Sequence, residues 1–117
     1  MTLDEVLETF EGFYEYEPNW NGEGSVAPSH KVISNALAVY GLTRNTDDIS
    51  ITVTDKGFIR LSWELDARQV VLDVFDYSAH LKASFDNDDS DISIVYSPIA
   101  FKSSFIAEDL NAYLTVA

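Results

Sequence analysis

Apolar positions follow a helical period over the first forty residues and a strand period from residue 49. Leu3, Val6, Leu7, Phe10, Phe13 and Tyr14 recur three and four apart, which places them on one face of a helix. Thr2 with Glu5 reads as its capping box. Pro18 disfavours helical backbone before it, so the helix is predicted to end within Glu15-Tyr16-Glu17-Pro18. A turn-rich loop follows, Asn19 to Pro28, with Gly22 and Gly24 expected at positive φ and Trp20 as a lid on the core. Ser29 then caps a second helix, Lys31 to about Tyr40, which buries Val32, Ile33, Ala36, Leu37 and Tyr40 and stops at Gly41.

From Ile49 the period is two. Ile49, Ile51 and Val53 make a first strand, and Asp55-Lys56-Gly57 a turn. Ile59, Leu61, Trp63 and Leu65 alternate with Arg60, Ser62 and Glu64, and Asp66-Ala67-Arg68 turns the chain again. Val70, Leu72 and Val74 point one way, and Val71, Asp73 and Phe75 the other. Tyr77, Ala79, Leu81, Ala83 and Phe85 alternate with Ser78, His80, Lys82 and Ser84. The tract from Asp86 to Asp91 reads as a polar loop, and Ile92, Ile94 and Tyr96 as a short last strand. After Pro98, Ser103 or Ser104 starts a C-terminal helix with Phe105, Ile106, Leu110, Tyr113 and Leu114 on its apolar side. Short turns between short strands predict an antiparallel five-stranded meander with one wet face. Two N-terminal helices and one C-terminal helix pack on the other face. The expectation is a two-layer α+β fold in one domain, residues 1–117.

Charge adds a functional direction. The chain has 20 acidic and 7 Lys or Arg residues, for a formal net charge of -13. A hydrophobic fraction of 46% nonetheless argues for a folded chain. The absence of cysteine excludes disulfides, thiol nucleophiles and Cys-ligated metal centres. The acidic start, Met1-Thr2-Leu3-Asp4-Glu5, is unlike a signal peptide, so a cytoplasmic setting is expected. An acidic surface repels nucleic acid and anionic lipid and attracts basic proteins.

Seven acids and no Lys or Arg precede Lys31. Asp4, Glu8, Glu11 and Glu15 fall within an arc of roughly 60° at 100° per residue. Like charges four apart each cost a helix about 0.2–0.5 kcal/mol. Their spacing of roughly 5–6 Å is close to that of phosphates along a strand, so the stripe suits the basic groove of a nucleic-acid-binding protein. A solvated face in an acidic proteome is the plainer reading. Asp86, Asp88, Asp89 and Asp91 form a second acidic patch, assigned here to the same partner. They resemble the start of a calcium loop, but Asp91 and Ser97 stand where that loop needs Gly and Glu, so no metal is expected.

His30 and His80 have no flanking motif that marks a catalytic triad, and Gly22-x-Gly24 follows a helix without a Walker-type lysine. No catalytic residue and no cofactor are assigned.

Asn19-Trp20-Asn21-Gly22-Glu23-Gly24-Ser25 with Pro28 resembles the W-D-G-x-G-A-x-x-P motif of small uncharacterised bacterial and phage proteins. Asp55-Lys56-Gly57 leading to Trp63 is similar to their second element, and the likeness covers about residues 18 to 75. Asn21 and Glu23 depart from the motif. The resemblance implies a helix followed by strand–turn–strand and a bacterial or phage-infected cell, and it transfers no catalytic residue.

The reading at this level is a non-enzymatic acidic inhibitor of a basic, nucleic-acid-handling protein, of the anti-CRISPR or anti-restriction kind. An immunity protein or antitoxin against a basic toxin is the near neighbour. A homo-oligomer, such as a dimer paired through the edge at Ile92 to Tyr96, is the alternative from another class.

Overall fold

A computed structural model describes residues 3–43, 49–65, 68–85, 88–96 and 103–114, with the side chains of 3, 88–90 and 103–105 outside that description. The order is α1 (Leu3–Phe13), α2 (His30–Leu42), β1 (Ile49–Val53), β2 (Ile59–Leu65), β3 (Arg68–Val74), β4 (Ala79–Phe85), β5 (Asp88–Tyr96) and α3 (Ser103–Leu114). The strands form one antiparallel sheet in the order β1-β2-β3-β4-β5. The meander and its three helices are as the periodicity predicts.

Alternation decides the layers. Ile59, Leu61, Trp63, Val70, Leu72, Val74, Ala79, Leu81 and Ala83 share the helix-covered face and are buried. α2 lies across β2 and β3, and both α3 and α1 pack on α2. Val6, Phe10 and Phe13 of α1 complete the core, with Phe10 meeting Tyr40 of α2 at a ring separation of 6.2 Å. At about 25 cal/mol per Å² such burial is the main term stabilising the fold.

Side chains fix the helix ends and turns. Ser29 Oγ accepts from the Val32 amide, as an N-cap should, and donates to Asp76 Oδ1. Asn35 is buried on α2 and donates to the carbonyls of Phe75 and Asp76, which ties α2 to the β3–β4 turn. Gly57, at φ 84, completes a three-residue hairpin loop in which Thr54 N donates to Phe58 O. Arg68 donates to the Tyr113 carbonyl in the last turn of α3, a favourable place for a cation.

Several expectations are corrected. Gly41 lies within α2, and the helix ends one residue later because Thr43 caps it, with N–H to Tyr40 O and Oγ1 to Val39 O. Arg68 begins β3 instead of closing a turn, and Tyr77 sits at an exposed hairpin tip instead of in β4. β5 already starts at Asp88, so most of the tract read as a loop is strand, joined to β4 through a register shift between Ala83 and Phe85. α1 ends at Phe13, where Tyr14, Glu15 and Tyr16 donate to carbonyls three residues back and tighten the chain into turns. Thr2 lies outside the described residues.

Candidate functional site

The acidic stripe is on the surface. Asp4, Glu8 and Glu11 are exposed on α1, and Glu15 is exposed in the turn just beyond it. Asp91 is exposed in β5. Asp86 and the side chains of Asp88 and Asp89 lie outside the described residues, as therefore does most of the second patch. Among the described residues no three carboxylates or imidazoles gather as a metal site.

The apolar arc of α1 is narrower than its spacing implies. Val6, Phe10 and Phe13 are buried, whereas Leu7 is 41% and Tyr14 46% exposed. At 100° per residue Leu7 points about 90° from the centre of the buried three, so it borders the carboxylates. Tyr14 stands edge-on to His30 at a ring separation of 5.0 Å. The stripe is thereby flanked by exposed apolar groups.

The loop after α1 adds two more aromatic groups. Asn19, at φ 66, accepts from Gly24 N through Oδ1, and its own amide donates to Ser25 O. Ser25 Oγ accepts from Asn21 N, and Asn21 Oδ1 from Glu23 N. Gly22 (φ 78) and Gly24 (φ 80) take the positive φ expected of them. The Val26 amide donates to Asp55 O, which docks the loop on the β1–β2 turn. Trp20 is not a lid on the core. Its Nε1 donates to Val26 O at 3.0 Å, and its ring lies 5.1 Å from that of Tyr16, each residue being 37% exposed. Phe13 backs Tyr16 edge-on at 5.9 Å. Gly12, Glu15, Tyr16, Glu17 and Trp20 line an open cavity of about 480 Å³ beside the stripe.

The wet face of the sheet carries a polar row that sequence reading did not assemble. In register across β1 to β4 stand Thr52, Arg60, Asp73 and His80, with Val95 of β5 at its end. Arg60 Nε and Nη2 donate to the two oxygens of Asp73 at 2.7 and 3.1 Å. The Asp73 side chain is only 5% exposed, that of Arg60 43%. The hydrogen bond to Asp73 and, behind it, that residue's charge raise the Arg60 pKa despite some desolvation. Comparison with family models, curated proteins and solved structures finds no match to this chain. The chemistry of the row must therefore be read from its geometry. His80 Nε2 and Ser93 Oγ are 2.5 Å apart. The carboxylate that would orient His80 in a Ser-His-Asp relay faces Arg60 instead.

Proposed function

We propose that this protein is a non-enzymatic acidic inhibitor that occupies the nucleic-acid-binding groove of a basic protein, with α1 as the contact. The observation that carries this reading is one of adjacency. Asp4, Glu8, Glu11 and Glu15 are exposed beside the exposed apolar groups Leu7, Tyr14, Tyr16 and Trp20. Carboxylates steer a cationic partner and exclude others, while aromatic groups at the centre of an interface supply most of the affinity. A solvated face needs no such apolar flank. Asp91, with Asp86, Asp88 and Asp89, belongs to the proposal as a second patch.

A second reading is a homodimer through β5, favoured by its place at the sheet edge and by the exposed Val95.

The test is capture from bacterial lysate on the tagged protein, with salt elution and competition by duplex DNA. A basic nucleic-acid-binding protein displaced by DNA, and lost when Glu8→Lys and Glu11→Lys reverse the stripe, is the expected result. Capture insensitive to the reversal would sink the α1 interface. Elution of the free chain at twice its mass in size-exclusion chromatography would favour the dimer.

A further inference from the structure

We infer that the cavity between the end of α1 and the Asn19–Ser25 loop is a receptor for one arginine side chain of the partner. This deepens the inhibitor reading and rests on it for the identity of the partner, though not for the chemistry of the pocket.

Three features of the cavity point to a guanidinium. Its walls include Tyr16 and Trp20, whose rings lie 5.1 Å apart at an interplanar angle of 57° and which are each 37% exposed. A planar cation stacks on such faces. Glu15 and Glu17, both exposed, stand on either side of Tyr16 in the chain and line the same cavity. Carboxylates match the forked N–H donors of arginine better than the point charge of lysine. No Lys or Arg precedes Lys31, so this segment supplies no cation of its own.

The walls are held before any ligand arrives. Trp20 is fixed by the hydrogen bond its Nε1 donates to Val26 O, Val26 by the hydrogen bond its N–H donates to Asp55 O, and Tyr16 by the edge of Phe13. Preorganised walls reduce the ordering cost of binding. Gly12 completes the lining. It sits inside α1, where glycine is unfavourable relative to alanine, and it has no positive φ. A Cβ placed on it meets nothing within 4 Å. Neither backbone nor packing requires glycine there, and a larger side chain would occupy the cavity.

The experiment titrates the intact protein with N-acetyl-arginine amide and follows the two indole N–H signals by NMR, Trp20 being assigned through Trp20→Phe. The neutral isostere N-acetyl-citrulline amide and N-acetyl-lysine amide are the comparisons. Saturable movement of the Trp20 signal, with Kd on the order of 1–10 mM, is expected for arginine. Citrulline should bind about tenfold more weakly. Gly12→Leu should abolish the response while leaving the fold intact, as judged by the signal of buried Trp63. Glu15→Gln with Glu17→Gln should weaken it about tenfold. Equal responses to arginine and citrulline, a lysine response as strong as arginine's, or movement unaffected by Gly12→Leu would each overturn the inference. Partner capture unchanged by Gly12→Leu and by Trp20→Ala would sink the pocket and keep the inhibitor reading. Arginine binding with no basic partner captured would do the reverse.

Discussion

The Arg60–Asp73 pair makes a prediction that depends on which half is removed. Asp73 has 5% of its side chain exposed and Arg60 43%. Arg60→Met would leave a carboxylate without its cation and away from water. Breaking a buried pair in this way costs about 3–5 kcal/mol. Asp73→Asn would leave a cation that water already reaches, and its amide oxygen can still accept from Arg60. Solvent screening holds that cost to about 1 kcal/mol. Domains of this kind are stable by roughly 5–15 kcal/mol, so the difference is easily measured. Urea unfolding of wild type, both single variants and Arg60→Met/Asp73→Asn at pH 7 gives the four corners of a cycle. Replacing both residues should recover much of the loss in Arg60→Met, because no charge is then stranded. An Asp73→Asn cost equal to or above that of Arg60→Met would refute the burial argument.

Other outcomes follow from single contacts. Gly57→Ala should destabilise by about 1–2 kcal/mol, since the residue is at φ 84 and its new Cβ would meet Val26 Cγ1 at 2.9 Å, whereas Gly12→Ala should stabilise by roughly 0.5–1 kcal/mol; thermal melts compare the two. Asn35→Ala should cost about 1–3 kcal/mol in urea unfolding, because the carbonyls of Phe75 and Asp76 lose their donor. Tyr96 donates to Asp109 Oδ2 at 2.7 Å, and burial, followed by that bond, pushes its phenol far above the ordinary range. Its neutral form is thus favoured in the fold, so this stability is fully present below about pH 10 and is lost as pH rises further; Tyr96→Phe should have the shallower alkaline loss.

The fold was legible because one sheet face is dry. With Ile59, Leu61 and Trp63 inward and Arg60, Ser62 and Glu64 outward, period two has one solution. What failed depended on registers that differ by single residues. A three-residue turn at Asp66-Ala67-Arg68 would set Arg60 opposite Val74. The strands in fact resume at Arg68, which sets Arg60 opposite Asp73. A two-residue connection was the available signal for that ion pair. The α1 stripe was readable from spacing, and its exposure agrees. The aromatic cavity was not, since it needs Tyr16 and Trp20 brought together by Asn19 at positive φ, and nothing in the periodicity encodes that turn. Trp20 looked like core by residue type alone. Asn35 carries no signal in the sequence, because a polar residue on a buried helix face has a partner only after the hairpin Phe75–Ser78 is in place.

The sequential strand order has a kinetic consequence. Each strand pairs with its neighbour in the chain, so the sheet closes through short loops, and short loops lower the entropic barrier to folding. α1 packs mainly on α2, outside the sheet. It can therefore dock late, after the rate-limiting step. Charge reversal at Glu8 and Glu11 should then alter the rate of unfolding and leave the rate of refolding nearly unchanged. A chain built this way can vary the surface that meets its partner without slowing its own assembly.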